Sequence, residues 1–276
     1  MARLPDLLVV GGMRCGSTSL YRLLDAHPRV CMASPKELHF FDRHFDSGLD
    51  WYAQHFASAE AGQLCGEATP GYMYNREVVR RMSAAVPACK YVVILRHPVE
   101  RAYSHYWMNR ALGRETRSFP EAISREAERL RRGEHRGYYV GMSRYHEALT
   151  RLESFVGREQ LAVVVLEELR DHPHTVWQSL CEHLQIEADG IDPAAIIAQV
   201  NAFQRYRSLR LRRWGKRLPQ RVQDVIGRVN AYDAPYPALP EADRRMVWSQ
   251  LVDDTQRLES WFERAIPAWR EEARGT

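Results

Sequence analysis

Leu7-Leu8-Val9-Val10-Gly11-Gly12-Met13-Arg14-Cys15-Gly16-Ser17-Thr18-Ser19-Leu20 decides the fold. The short apolar run predicts a buried strand. Glycines stop it and let the backbone approach an anion, and a helix begins at Ser17 or Thr18. Free N–H groups and the positive end of that helix then face whatever occupies the loop. Arg14 adds a fixed cation. This is the chemistry of a phosphate or sulfate site. Gly11, Gly16 and Thr18 keep the spacing of a triphosphate-binding loop, G-x-x-x-x-G-K-[ST], but Ser17 stands where the lysine belongs. That lysine reaches the β- and γ-phosphates, so its loss argues against an ordinary ATPase or kinase. On this segment alone, a plain strand–turn–helix joint remains an alternative.

Tyr91-Val92-Val93-Ile94-Leu95 predicts a second buried strand, β-branched and almost wholly apolar. It runs into Arg96-His97-Pro98-Val99-Glu100-Arg101-Ala102-Tyr103-Ser104, where Pro98 suits the first turn of a helix. Arg96 then lies at the carboxyl end of a strand, where open α/β sheets bind ligands. Ser104 lies about two turns into the helix. An arginine at a strand tip and a hydroxyl on the next helix are able to grip one phosphate together. The alternative is that Arg96 pairs with a structural carboxylate and Ser104 faces solvent.

Taken together, these segments resemble the sulfotransferases that use 3′-phosphoadenosine 5′-phosphosulfate (PAPS), nearest to the branch of heparan sulfate sulfotransferases and their bacterial relatives. The family's first loop, roughly G-x-x-K-x-G-T-T, corresponds to Gly11–Thr18, with Arg14 at the lysine position and Ser17 at the first threonine. The second motif, R-x-P-x-x-R-A-x-S, is met by Arg96, Pro98, Arg101, Ala102 and Ser104 without gaps. Ser34-Pro35-Lys36-Glu37-Leu38-His39-Phe40-Phe41-Asp42 looks like the family's E-x-H-F-F-D segment, and Gly48–Tyr52, Gly66–Tyr72 and Ser143-Arg144-Tyr145 also follow the pattern. The likeness covers residues 7 to about 185 and loosens beyond.

The resemblance implies a PAPS site made by Arg14, Cys15, Gly16, Ser17 and Thr18 around the 5′-phosphosulfate and by Arg96 and Ser104 around the 3′-phosphate. Glu37 stands at the family's catalytic glutamate. His39, two residues on, is the second candidate base. If the segment is extended, both face the same way. Asp42 would orient His39 or bind acceptor. Sulfuryl transfer moves a neutral SO₃ unit from a phosphate leaving group to a nucleophilic atom. In-line positioning and charge stabilisation carry most of such a reaction. Arg14 and the loop N–H groups would stabilise charge on the departing oxygen without a metal. The alternative for Glu37 and His39 is a structural pair beside core Phe40 and Phe41.

Two departures bear on the acceptor. Arg14 stays charged and is a poorer proton donor than lysine. Ala68 falls where heparan-modifying members carry a lysine, which disfavours a polyanionic glycan. Trp51, Tyr52, Tyr72 and Trp107 would instead build an aromatic pocket, with Trp51 and Tyr72 as substrate contacts. The expected acceptor is a hydroxyl on a small molecule, lipid or saccharide.

Composition sets wider bounds. A chain of 276 residues suits one sizeable α/β domain, here a P-loop-like three-layer domain spanning 1–276 with a mostly parallel central sheet flanked by helices. Strands are expected at Leu7–Val10, Val30–Met32, Leu64–Gly66, Tyr91–Leu95 and Leu161–Leu166. Helices are expected at Ser17–Ala26, Arg76–Ala85, Val99–Leu112, Phe119–Arg131, Tyr145–Phe155 and Thr175–Leu184. A helical, charge-rich segment covers about 109–137. No apolar run approaches the roughly 20 residues of a membrane helix. The first strand leads straight into its loop and does not read as a signal peptide. Five cysteines without metal-type spacing predict reduced thiols in the cytoplasm. Cys15 is either a reactive thiol, its pKa lowered by the helix start and Arg14, or a small residue whose N–H matters.

Net charge is only +4, yet residues 204–221 hold eight basic side chains with Tyr206 and Trp214 between them. Such a stretch suits nucleic acid, an anionic surface or a solvated helix face. The resemblance makes 201–221 a cofactor-covering region, with Arg207 as an added phosphate ligand and no nucleic acid partner. A P-loop nucleotide kinase and a non-enzymatic anion or nucleic-acid binder are the rival readings.

Overall fold

Five parallel strands carry the architecture, in the order β2-β3-β1-β4-β5. The computed structural model describes residues 3–132, 137–198 and 235–270 and, between the last two stretches, only 204–206, 208, 211, 214, 222, 225–226 and 231–233. In chain order the elements are β1 (Leu7–Val9), α1 (Ser17–Asp25), β2 (Val30–Met32), α2 (Gly48–Ala53), β3 (Leu64–Ala68), α3 (Arg76–Ala85), β4 (Lys90–Leu95) and α4 (Pro98–Ala111). There follow α5 (Phe119–Ser124), α6 (Glu126–Arg131), α7 (Tyr145–Glu153), β5 (Leu161–Val165), α8 (Leu166–Asp171), α9 (Pro173–Leu184) and α10 (Pro193–Ala198). A two-stranded antiparallel ribbon, β6 (Gln204–Tyr206) with β7 (Ala231–Asp233), precedes α11 (Glu241–Trp248) and α12 (Val252–Phe262).

Central position explains the strand composition. Every residue of β1 is buried, and Tyr91–Leu95 of β4 are too, because both strands have neighbours on either side and helices above and below. Leu8 pairs in register with Glu67 on one side and Tyr91 on the other. Right-handed crossovers then dictate the helix layers. From β1 the chain crosses by α1 to the outer strand β2, whereas from β4 it moves the opposite way to β5. The loops after β1 and β4 therefore diverge at adjacent strand ends and open a crevice between them, the usual ligand position of such sheets. α1 packs on α10, which packs on α9, while α3 and α12 pack on α7.

Several expected boundaries moved for physical reasons. β1 closes at Val9, although Val10 still donates to Val92 O. Leu166 starts α8 and does not end β5, so strand passes to helix with no spacer. The single helix expected over Phe119–Arg131 is two, re-aimed at Arg125. This turns Glu126 inward, where its carboxylate accepts from the N–H groups of Tyr139, Val140 and Gly141.

Gly11 is fixed by proximity as well as dihedral. Its φ is +122°, and a Cβ there would stand 2.6 Å from the Ile94 carbonyl oxygen of β4. Replacing it strains the backbone and pushes β1 from β4. Gly11→Ala is expected to lower stability by about 1–3 kcal/mol, read from denaturant midpoints. An unchanged midpoint would show that the β1–β4 junction is not tight.

Candidate active site

The first loop leaves β1 and ends at Gly16, whose φ of +98° makes the left-handed entry to α1. A Cβ at Gly16 would meet Leu166 Cδ1 at 2.6 Å, so the loop has no room for a side chain there. No side chain caps α1, and its first turn holds no acid. The positive end of the helix is thus available to an anion. Ser17, at the first helical position, is buried, while the Thr18 side chain is exposed.

The second loop meets the first through side chains. Arg14 Nε donates to Ser104 Oγ at 3.1 Å, and Arg96 NH1 reaches the Arg14 carbonyl at 3.4 Å. Ser104 is buried on α4 and does not face solvent. Arg96 also approaches Glu100 at 3.9 Å, a long ion pair that leaves it within the crevice. Burial and then the Arg96 charge lower the pKa of Arg14. Burial also works against the charge on Arg96, but Tyr236, Glu100 and Glu167 outweigh it and raise its pKa. Two guanidinium groups kept this close, in a partly dry site, match a multiply charged anion.

Arg101 holds the arrangement from beneath. It is fully buried. Its Nε donates to Ser143 Oγ at 2.7 Å, NH1 to the Met13 carbonyl at 3.3 Å, and NH2 to the Tyr139 carbonyl. Tyr145, at the start of α7, donates to the Arg96 carbonyl at 2.8 Å and lies 3.5 Å from Cys15 Sγ. One buried layer therefore fixes both loops. Cys15 belongs to it: burial raises its thiol pKa, and the neighbouring Arg101 only partly offsets that. The reactive-thiol reading of Cys15 does not hold, because the helix end and cations act on a sulfur without water.

The third strand positions the candidate bases. Glu37 N donates to Ala68 O at 3.2 Å, at the end of β3, and His39 N donates to Thr69 Oγ1 at 3.4 Å. Glu37 and His39 have φ of 64° and 53°, so the segment is coiled left-handed at both positions and is not extended as expected. Their side chains converge even so. His39 Nε2 is 3.9 Å from Glu37 Oε2, and His39 Nδ1 is 3.0 Å from Asp42 Oδ2. Phe40 and Phe41 are fully buried and anchor the next turn. Beneath lies Glu67, also buried, which accepts from Thr69 Oγ1 at 2.5 Å, from Tyr72 OH at 3.0 Å, and from Tyr52 OH.

Lys36 was not assigned a role from the sequence. Its Nζ donates to Ser17 Oγ at 3.2 Å and to Glu37 Oε1 at 2.9 Å. It thus links the helix end to the candidate base. The two positions are 19 residues apart, so only the fold brings them together.

The expected aromatic pocket is corrected. Tyr52 and Tyr72 are buried, with their hydroxyls committed to Glu67, and Trp51 stacks on Phe40 and lies edge-on to His55. Trp107 belongs to a separate cluster with Tyr103 and Tyr236. Tyr52 and Tyr72 thus serve packing, because the buried Glu67 carboxylate draws their hydroxyls inward, while Trp51 is partly buried against Phe40. Arg207 lies outside the described residues, as does most of 201–221. Among the described residues no cluster of His, Cys, Asp and Glu could hold a metal ion.

An open helix end and paired guanidinium groups at the switch point of a parallel sheet define an anion-binding α/β protein of the phosphate-loop type. Residues 4–220 match the family described as "Sulfotransferase domain", and the chain belongs to that family. It is 37% identical over 115 residues to "Membrane-associated sulfotransferase kil1" of Dictyostelium discoideum, a match covering 39% of this chain and 24% of that protein. It is 41% identical over 104 residues to human "Heparan sulfate glucosamine 3-O-sulfotransferase 6", covering 38% of this chain and 30% of the relative. "Bifunctional heparan sulfate N-deacetylase/N-sulfotransferase 1" of Caenorhabditis elegans matches 98% of this chain at 30% identity, over 31% of its own length. The matches thus span about a quarter to a third of these relatives. Among solved structures, a sulfotransferase from Alicyclobacillus acidocaldarius superposes with a TM-score of 0.75 at 25% identity, covering 98% of this chain and all of that one. The fold is also that of "mouse sulfotransferase SULT7A1 complexed with PAP", with a TM-score of 0.50 and 15% identity over 72% of this chain and 64% of that one.

His105 reports on the buried layer. It is buried against Arg101 NH1 at 3.4 Å, and burial followed by the Arg101 charge holds its pKa well below the ordinary value near 6.5. The unfolded chain binds a proton there that the folded chain refuses. Stability is therefore complete above about pH 6.5 and falls as pH drops through that value, by up to about 1.4 kcal/mol per pH unit from this group. His105→Asn is expected to flatten the profile between pH 6.5 and 5 in denaturant titrations. An unchanged slope would remove His105 from the balance.

Proposed function

We propose that this chain transfers a sulfuryl group from PAPS to an acceptor hydroxyl by in-line displacement, with Glu37 as the general base. The observation that carries the reading is the meeting of both anion-binding loops at one crevice, Arg14 Nε 3.1 Å from Ser104 Oγ. The family match supports the chemistry, and the solved neighbour with bound PAP supports the donor.

The residues present fit that donor. The N-terminus of α1, with Ser17, takes the 5′-phosphate side. Arg96 and Ser104 take the 3′-phosphate, and Arg14, expected at the 5′-phosphosulfate, reaches across to Ser104 with its Nε and so bridges the two sides. The donor supplies an S–O bond whose leaving group is a phosphate oxygen. The chain's own task is to hold charge at two places and to remove one proton. Glu37 is nearly half exposed at the mouth of the crevice and accepts the acceptor's proton. Asp42 accepts from the His39 ring and orients it beside Glu37, with His39 as the alternative base. No step needs a metal when cations and helix N–H groups meet the developing charge.

The basic stretch at 201–221, with Arg207, covers the nucleotide in this reading. β6 lies against α4, the helix of Ser104, which supports that placement. We take residues 1–276 as one domain. The acceptor is a small molecule, lipid or saccharide. Relatives named for heparan sulfate support a saccharide, while Ala68 and the lack of a second lysine there favour one of lower charge. All five cysteines are free thiols, which supports a cytoplasmic location. No helix among the described residues is long and apolar enough to cross a membrane.

A labelled-sulfate transfer assay over a varied acceptor panel tests the reading, with nucleotide binding measured alongside. Glu37→Gln is expected to keep affinity for adenosine 3′,5′-bisphosphate while turnover falls about 10²-fold or more. Unchanged turnover would take Glu37 out of the base role. Arg96→Ala combined with Ser104→Ala should weaken the 3′-phosphorylated nucleotide far more than the analogue without that phosphate. Equal losses would contradict the assignment, and tight ATP binding with indifference to PAPS would defeat the whole.

A further inference from the structure

We propose that Lys36 is the catalytic cation of this chain, donating a hydrogen bond to the oxygen that leaves with the 5′-phosphate. The inference rests on the sulfuryl-transfer reading above and names a residue that neither motif assigns.

Three observations carry it. The loop position suited to a lysine holds Ser17, whose Oγ is uncharged, and the Lys36 ammonium lies 3.2 Å from that oxygen. A second cation, besides Arg14 of the loop, is thus supplied in space from the segment after β2. Arg14, the cation inside the loop, spends its Nε on Ser104, on the 3′-phosphate side of the crevice. The Lys36 side chain is also largely buried, 17% exposed, which strengthens its field at the helix end, yet it remains reachable from the crevice. A surface lysine with a purely solvating role would not be drawn between a buried serine and a carboxylate.

The step balances without any added reagent. The acceptor oxygen attacks sulfur, and its O–S bond forms as the sulfur–oxygen bond to phosphate breaks. The electron pair of the breaking bond stays on the phosphate oxygen. Glu37 takes the acceptor's proton. Lys36 turns from Glu37, 2.9 Å away, toward the oxygen that has gained charge. Its ammonium holds three donors on a flexible stem, so it is able to keep Ser17 while exchanging Glu37 for the leaving oxygen. Neighbouring residues 36 and 37 then serve the two ends of one reaction.

The experiment compares Lys36→Met, Lys36→Arg and Lys36→Ala with the parent protein. Each is assayed for labelled-sulfate transfer from PAPS and, by calorimetry, for binding of adenosine 3′,5′-bisphosphate. Loss of one positioned donor to developing charge predicts a fall in kcat of about 10²- to 10³-fold in Lys36→Met. The KM for PAPS should change less than about tenfold, since the departing oxygen gains its charge only in the transition state. The bisphosphate carries that oxygen charged and should lose affinity along with the fall in kcat. Lys36→Arg keeps the charge, guards against a folding artefact, and should recover part of kcat. Added methylammonium should restore turnover to Lys36→Ala in a saturable manner, which a structural role would not allow. A kcat within threefold of the parent in Lys36→Met overturns the proposal, as does a loss confined to bisphosphate affinity with kcat intact. Failure of the parent protein itself to bind the bisphosphate or use PAPS would instead overturn the sulfuryl-transfer reading.

Discussion

A buried carboxylate sets the geometry on which the site depends. Glu67 is buried, and three hydroxyls, from Tyr52, Thr69 and Tyr72, turn inward to serve it. Burial raises its pKa, and those hydroxyls pull the other way. Each hydroxyl then has acceptor capacity left over, and two of them use it upward. Thr69 accepts from His39 N and Tyr72 accepts from Phe41 N. The left-handed turns at Glu37 and His39, costly for residues other than glycine, are held by these bonds and by the buried rings of Phe40 and Phe41. Glu67 is a positioning residue: it touches no reacting group in the proposed reaction but determines where Glu37 and His39 stand.

Arg101 plays the matching part for the anion loops. A guanidinium without exposure is tolerated only where its donors are satisfied. Here they are shared between a carbonyl of the first loop, a hydroxyl, the Tyr139 carbonyl and the ring of His105. The charge sits one layer below Arg14 and Arg96, so it adds to the positive field of the crevice without competing for the ligand. Glu126, whose carboxylate takes three N–H groups at Tyr139–Gly141, steadies the far end of the same layer. Arg14, Arg96 and Lys36 stand in the crevice beside Glu37, and the buried carboxylates Glu67 and Glu126 lie in layers below.

Much of this was legible in the residues. The apolar runs located all five strands to within two residues, because central parallel strands are continuous hydrophobic stretches. The placement of Arg96 at a strand end and of Ser104 about two turns into the next helix followed from the strand–helix reading. What escaped had physical reasons. α8 follows β5 without a cap or break, so the apolar signal runs through Leu166. α11 and α12 lie beyond the motifs and cover α4 and α7, with Trp248 of α11 stacked on His97 after β4. The aromatic residues misled, since Tyr52 and Tyr72 read equally well as ligand contacts or as donors to a buried acid. Only the position of Glu67 decides between them. Lys36 escaped because its meaning depends on Ser17, 19 positions away, and no local pattern links the two.

The link between Lys36 and Glu37 also constrains how the site works at rest. A lone lysine beside an open helix end adds to a local excess of positive charge, which also includes Arg14 and Arg96. Glu37 offsets that excess while the crevice holds no anion, and its 2.9 Å contact keeps the ammonium at the helix end instead of in solvent. In the proposed reaction a bound anion at α1 offers Lys36 a second partner of the same sign as Glu37. Glu37 is then held by His39 and the backbone bond to Ala68 alone. In the proposed reaction the carboxylate thus gives up its lysine to the departing group, which couples the two ends of the site through one lysine standing between two anions.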